Sequence, residues 1–221
     1  MPTRTTPKKT VSFSDNEPPV KEQQHIDLEE NIKIPFSLKT IPFHYILIVY
    51  SILKQDITTG NVLNNLINNL FALIFMQLVY TFLFVTNIIE ITKKKHQKRV
   101  KLSIGKDYSL IISSILISLV FVLPIYLLVV LFGAPFTTYF QENLILSTHL
   151  SFLSYPIIVS YFKTGEKSIY YKYLAFIAIG AWFGAIAIPL DWDRDWQNWP
   201  LPIVISSYIG SFIGYSIVGL L

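Results

Sequence analysis

Cysteine and charged residues are the types that this 221-residue chain lacks or holds in small number. The chain has no cysteine, which excludes disulfides, cysteine-ligated zinc and cysteine nucleophiles. Charged residues make up 14% of the chain and hydrophobic residues 52%, whereas soluble globular chains are about 25% charged. With a mean hydropathy of +0.48, the sequence therefore predicts an integral membrane protein.

Five long segments contain no Asp, Glu, Lys or Arg, and each is at least as long as the roughly 18 to 20 residues that a membrane-spanning helix needs. These segments are residues 57–89, 108–141, 143–162, 173–190 and 196–221. They leave no room for a folded soluble domain, which excludes a nucleotide-binding fold or an extramembrane hydrolase. A shorter apolar stretch, 41–53, spans the bilayer only if Lys39 extends to the interface; the alternative is an interfacial or re-entrant helix.

The distribution of Lys and Arg chooses between five and six spans. Six spans place 16 of the 18 basic residues on one side of the membrane. Because cytosolic loops carry the excess of Lys and Arg, we predict an all-α, polytopic protein with both termini in the cytosol. The predicted helices lie near 36–53, 66–89, 109–132, 144–162, 173–190 and 200–220.

The N-terminal segment differs from the rest of the chain. Residues 1–34 are polar, rich in charge of both signs and interrupted by proline, so we predict a disordered cytosolic tail followed by a membrane domain, 35–221. The basic cluster 93–101 is interpreted as a topology anchor, with contact to anionic lipids or a retention signal as the alternative. The net charge of +4 is assigned to topology in the same way, and no nucleic-acid binding is predicted.

Polar side chains within the predicted spans are candidates for function or for helix contact. Asn61, Asn65 and Asn68 fall on nearby faces of the second helix, at its far-side end. They bind a lipid headgroup or partner chain, pack inside the bundle, or are simply solvated at the interface. His44 and His149 are the histidines of the membrane region. No carboxylate is predicted at their depth, so we assign them structural roles and predict no metal site.

Small residues recur at four-residue intervals in the last two predicted helices. Gly180 and Gly184 lie in the fifth, and Ser206, Gly210 and Gly214 lie in the sixth. Such spacing forms a groove in which helix backbones approach closely. The two grooves either pack on each other or one of them receives a helix from another protein.

The loop between these helices, IPLDWDRDWQNWP at 188–200, concentrates acidic and aromatic residues at a membrane boundary. Tryptophan is favoured at this boundary, and the acids can bind a cation, pair within the loop or bind a basic partner surface. A metal-dependent site for a lipid phosphate is not supported, because the aspartates lack the wider spacing and glycines of the CDP-alcohol phosphotransferases. The candidate residues for partner or lipid binding are Asp191, Trp192, Asp193, Arg194, Trp196 and Trp199.

The segment 180–215, GAWFGAIAIPLDWDRDWQNWPLPIVISSYIGSFIGY, resembles the signature of the Pig-F family of glycosylphosphatidylinositol (GPI) anchor biosynthesis proteins. A Gly-Ala-Trp start, a Pro-Leu-Asp-Trp-Asp-Arg core, a Trp-Gln-x-Trp-Pro continuation and a glycine-bearing last helix follow in the family's order. The length of the chain and the six-span layout fit the same family.

The resemblance implies a non-catalytic subunit in the endoplasmic reticulum membrane, without a cofactor. Its expected partners are the large multi-span ethanolamine phosphate transferases, which add phosphoethanolamine to mannoses of the GPI precursor before the anchor is transferred to protein. The 191–198 loop is then lumenal, with membrane lipids and the GPI precursor itself as further contacts. The alternatives are an enzyme that transfers or hydrolyses phospholipid headgroups, and a small lipid transporter or scramblase.

Overall fold

The fold was obtained as a computed structural model, which describes residues 41–59, 61–95, 104–164, 168–190, 192 and 194–217. Within these ranges the regular elements are all helical and no strand occurs, which confirms the predicted all-α class for this part of the chain. The predicted tail, 1–34, and most of the basic cluster, 93–101, lie outside the described residues.

Seven α-helices follow one another along the described ranges. Helices dominate because a backbone surrounded by lipid must satisfy its hydrogen bonds within its own segment. Two short 3-10 helices, Ile188–Leu190 and Asp195–Gln197, lie between the last two α-helices. The α-helices are α1 (Phe43–Thr59), α2 (Val62–Lys95), α3 (Ile104–Leu131), α4 (Phe140–Leu153), α5 (Tyr155–Thr164), α6 (Ser168–Ala187) and α7 (Leu201–Ile217).

By length and hydropathy the described residues support three or four membrane spans and do not confirm the six predicted. Among the described residues, the segments Val62–Leu83, Ile112–Leu131 and Tyr170–Leu190 are long and apolar enough to cross a membrane. The bent pair α4 and α5 makes a fourth if it counts as one span. α1 and α7 have shorter apolar segments. The 17 residues of α7 rise about 26 Å at 1.5 Å per residue, somewhat less than a hydrocarbon core of about 30 Å.

The structure divides the predicted helix 144–162 into two helices. α4 and α5 are bent by 43° at Ser154. Pro156 explains the break, because proline has no N–H to donate to the carbonyl of Phe152, four residues earlier. The N–H of Ile157 bonds the carbonyl of Ser154, only three residues back, at 3.1 Å.

The core of the bundle lies between α1, α2, α4 and α7. α7 contacts α1, α4 and α6, and α4 also contacts α2 and α3. α3 and α6 are outer helices, and only 22% of the apolar segment of each is buried. Several of the largest fully buried side chains are tyrosines: Tyr45, Tyr155, Tyr173 and Tyr208. A core rich in tyrosine needs hydrogen-bond partners for its hydroxyls, and neighbouring polar side chains and backbone carbonyls meet part of that need.

Candidate functional site

The predicted small residues bring α6 and α7 into direct backbone contact. A Cβ added to Gly180 would lie 2.5 Å from the carbonyl oxygen of Ser206 and 3.0 Å from the Cα of Gly210. A Cβ on Gly184 would overlap the Ser206 hydroxyl and the carbonyl of Pro202. Helices approach this closely only where the side chain is a hydrogen atom.

The contact continues one turn further along α7. A Cβ on Gly214 would lie 2.8 Å from the Cβ of Phe176, and one on Gly210 would overlap the carbonyl of the same phenylalanine. All five predicted packing residues thus lie in one interface inside this chain. The sequence allowed the two grooves either to pack on each other or to receive a helix from another protein. In the structure they pack on each other.

The connection between α6 and α7 is tied to the start of α4 by Trp199. The indole Nε1 of Trp199 donates a hydrogen bond of 2.9 Å to Oδ1 of Asn143, which is fully buried. The Nδ2 of Asn143 donates in turn to the carbonyl of Pro135 at 2.8 Å. These two bonds hold the 188–200 loop and the 132–139 connection together at one end of the bundle.

Gln197 holds the loop internally. Its Nε2 donates to the carbonyl of Ala187 at 2.9 Å, at the end of α6, and its Oε1 accepts from the backbone N–H of Arg194 at 3.1 Å. The backbone N–H of Gln197 also bonds the Arg194 carbonyl at 2.8 Å. The 3-10 helix Asp195–Gln197 lies against α1 and α7. Gln197 therefore ties the 194–197 part of the loop to the end of α6.

Of the predicted aromatic and basic residues of the loop, Trp192 and Arg194 face outward, whereas Trp196 and Trp199 are partly buried. Trp192 is 54% exposed, its ring centroid lies 5.8 Å from that of Trp196, and Arg194 is exposed. Asp191 and Asp193 lie outside the described residues, and Asp195 is described only through its backbone. The role of the acids as a cation or partner site stays a prediction.

The structure separates the asparagines that the sequence placed on one face of helix two. Asn65 is buried, and its Nδ2 donates to the carbonyl of Ile52 in α1 at 2.8 Å. Asn61 precedes α2, where its Oδ1 accepts from the backbone N–H of Asn64 at 3.1 Å, and Asn68 is exposed. The inward partner of Asn65 is Asn69, which the sequence reading omitted and which donates to Asn65 Oδ1 at 2.7 Å.

His149 joins three helices in the centre of the bundle. Its Nε2 lies 3.1 Å from the carbonyl of Leu66 in α2, and its Nδ1 lies 2.8 Å from the hydroxyl of Tyr208 in α7. A carbonyl can only accept, so Nε2 carries the proton and Nδ1 accepts from the tyrosine. With both ring nitrogens bonded inside the protein, His149 has the structural role that the sequence indicated.

Gln77 was not identified from the sequence, and it stabilises the broken span. This fully buried side chain donates through Nε2 to the carbonyl of Phe152 at 2.9 Å and to the hydroxyl of Tyr45 at 2.8 Å. Its Oε1 accepts from Nε2 of His44 at 3.0 Å. In a continuous helix the Phe152 carbonyl would accept from the N–H of residue 156, which proline lacks, so a proline inside a predicted span was the signal for such a side chain.

Tyr215 supports the same break from α7. Its hydroxyl donates to the carbonyl of Leu153, the last residue of α4, at 2.9 Å.

Within the described residues no three His, Asp or Glu side chains come close enough to hold a metal ion. The buried polar groups of His149, Gln77 and Asn65 instead join helices to one another.

Comparison with known sequences identifies the class to which this all-helical, membrane-type bundle belongs. The sequence profile of the GPI biosynthesis protein family Pig-F matches residues 40–219, so the match extends well beyond the 180–215 signature. The chain belongs to this family. No solved structure matches the chain.

Three yeast relatives cover nearly the whole chain, and each bears the name glycosylphosphatidylinositol anchor biosynthesis protein 11. The protein from Saccharomyces cerevisiae is 35% identical over 97% of this chain and 95% of its own length. The protein from Candida glabrata is 37% identical over 94% and 93%. The protein from Kluyveromyces lactis is 36% identical over 98% and 97%.

Proposed function

We propose that this chain is a non-catalytic subunit of the ethanolamine phosphate transferases that modify mannoses of the GPI precursor in the endoplasmic reticulum membrane. It stabilises the large catalytic subunits and acts before the anchor is transferred to protein. The observation that carries the proposal is the match to the Pig-F family across residues 40–219, together with relatives named for GPI-anchor biosynthesis that align over nearly their whole length.

The use of the buried polar groups supports a structural subunit. His149 joins α2, α4 and α7, and Gln77 joins α1, α2 and the α4–α5 break. Asn65 joins α1 and α2. In an enzyme or transporter that works within the bilayer, intramembrane polar groups are expected to face substrate or water. Here these three side chains are fully engaged in helix contacts.

We further infer six crossings, in which α4 and α5 form one broken crossing and α1 and α7 cross as short helices. Bonds between Trp199 and Asn143 and between His149 and Leu66 support a common end for the starts of α7, α4 and α2. The basic segments then belong to the opposite, cytosolic end. A short helix is accommodated by local thinning of the bilayer at modest cost.

Co-purification tests the proposal directly. The full chain, carrying an epitope tag, is purified from native membranes in mild detergent, and co-purifying proteins are identified by mass spectrometry. We expect a transferase catalytic subunit to be recovered, and we expect its abundance to fall when the chain is deleted. An unrelated multi-span protein of the same membrane, with the same tag, is the control.

Two results would overturn the proposal. One is turnover of a GPI precursor or phospholipid by the purified chain alone with divalent metal, which would make it an enzyme. The other is the absence of any transferase subunit from the purified material together with unchanged subunit abundance after deletion.

A further inference from the structure

The outward face of α2 carries a regular seam of exposed residues. Phe71, Phe75 and Phe82 are 68%, 66% and 62% exposed, and Asn64 and Asn68 are exposed on the same side of the helix. Their spacings of four, three, four and seven residues follow the 3.5-residue repeat with which one helix packs along another. From position 64 to 82 the seam runs about 27 Å along the helix axis, close to the depth of a hydrocarbon core.

The two amides distinguish this face from the exposed faces of α3 and α6. Both lie within Val62–Leu83, which has the length and hydropathy of a membrane span. The exposed faces of α3 and α6 carry large apolar side chains such as Leu123, which is 66% exposed, and Phe183, which is 60% exposed. Lipid chains cover such apolar faces well, but they offer no hydrogen bond to an amide.

We propose that the α2 seam, residues 64, 68, 71, 75 and 82, binds a transmembrane helix of the transferase catalytic subunit. The inference rests on the function proposed above and assigns the surface through which the subunits associate. The two asparagines bond polar side chains or backbone carbonyls of the partner helix and set its register, while the three phenylalanines pack along it. A lipid headgroup bound at the end of α2 would contact the amides of Asn64 and Asn68 but not Phe75 and Phe82, which lie farther along the helix.

Site-specific cross-linking tests this surface, and the absence of cysteine from the chain makes the labelling specific. Phe75→Cys in α2 and Phe183→Cys in α6 are matched, because both side chains are phenylalanines exposed to a similar extent. Each variant is labelled with a thiol-directed photo-cross-linker in native membranes that contain an epitope-tagged catalytic subunit. We expect a covalent adduct with that subunit from Phe75→Cys, several-fold stronger than from Phe183→Cys.

The asparagines are tested by Asn64→Leu combined with Asn68→Leu. Leucine is at least as compatible with lipid as asparagine, so the chain should remain folded and membrane-inserted. Loss of one or two interhelical hydrogen bonds should lower recovery of the catalytic subunit by about three- to tenfold. The matched control, Ser113→Leu on the exposed face of α3, should leave recovery unchanged.

The outcomes separate the surface from the function. An adduct between two copies of this chain from Phe75→Cys, or a transferase adduct only from Phe183→Cys, would overturn the assignment of the seam. So would unchanged recovery after both asparagine changes. In each case the proposed function would still stand if the catalytic subunit co-purified with the unmodified chain. If the catalytic subunit did not co-purify with the unmodified chain, both the proposed function and the assignment of the seam would be wrong.

Discussion

Gly180 and Gly210 lie so close across the α6–α7 interface that a Cβ on either residue would come within 3.0 Å of the other's Cα. The backbones of the two helices are thus in contact without intervening side chains. In a membrane, where lipid is as apolar as leucine, such contact supplies packing energy that burial alone does not. The interface holds the 188–200 loop between two closely joined helices.

Gly184→Leu should destabilise the protein, because the new side chain would overlap the Ser206 hydroxyl and the Pro202 carbonyl. Overpacking of this kind lowers the free energy of unfolding by about 1 to 3 kcal/mol. Ala185→Leu, one residue along on the exposed face of α6, is the control and should have little effect. Thermal unfolding of both variants in detergent, followed by size-exclusion chromatography, measures the difference; equal melting would contradict the packing described.

Gln77→Leu should lower the free energy of unfolding by about 1 to 3 kcal/mol, because the Phe152 carbonyl, the Tyr45 hydroxyl and the His44 ring each lose a hydrogen bond. Gln141→Leu, at an exposed glutamine of α4, is the control. Urea or thermal unfolding in detergent checks the prediction, and a variant as stable as the parent would refute it.

Pro156→Ala shows whether Gln77 acts through the broken span. Alanine restores an N–H that can bond the Phe152 carbonyl, so Gln77→Leu should be less harmful in that background. We expect a coupling free energy of about 1 kcal/mol in the double-mutant cycle. Strict additivity would mean that Gln77 stabilises the protein independently of the break.

Trp199→Phe should loosen the end of the bundle at which α4 and α7 begin, because phenylalanine keeps most of the apolar contact but cannot donate to Asn143. The loss of one hydrogen bond should reduce stability by about 1 kcal/mol. Trp182→Phe on the exposed face of α6 is the matched change. Amide hydrogen exchange at the start of α4 should become faster in Trp199→Phe but not in Trp182→Phe. Equal exchange rates in the two variants would contradict the role of the Trp199–Asn143 hydrogen bond.

Neutralising Asp191 and Asp193 together to asparagine should weaken transferase association while leaving the protein in the membrane. Asparagine keeps the shape and hydrogen-bonding capacity of aspartate but removes the charge that a basic partner or a bridging cation would bind. Ethanolamine phosphate transfer should fall, and overexpression of the catalytic subunit should restore part of it by mass action.

The same experiment distinguishes a binding role of these aspartates from a catalytic one. If the variant binds its partner fully, loses activity and is not rescued by overexpression, the loop belongs to an active or substrate-binding site. Trp192→Ala separates membrane anchoring from charge, because it removes exposed aromatic surface and leaves both carboxylates in place.

Six crossings predict that reporters fused before residue 10 and after Leu221 are both cytosolic, and that a reporter inserted at Asp195 is lumenal. The positive-inside distribution and the common end of α2, α4 and α7 lead to the same expectation. Glycosylation-sensitive and protease-protection reporters measure it. A lumenal N-terminal reporter would mean that α1 does not cross the membrane.

The sequence by itself determined the class of protein and the family. Low charge, long uncharged runs and the 180–215 signature are properties of the chain that need no coordinates. The four-residue spacing of Gly180, Gly184, Gly210 and Gly214 also showed where helices can approach closely. The spacing could not show which helix packs into each groove. Any two helices with such small-residue stripes can pack together, and only the positions of the helices in the bundle select the pair.

The tertiary structure alone decided which faces point inward. In a soluble helix the polar face marks the exterior, but a membrane helix is apolar on both sides, so periodicity did not tell buried Asn65 from exposed Asn68. The roles of Gln77 and Tyr215 depend on the carbonyls of Phe152 and Leu153, which lie at the α4–α5 break. Those residues lie 75 and 62 positions from the carbonyls they bond, a separation that only the packing of the helices bridges.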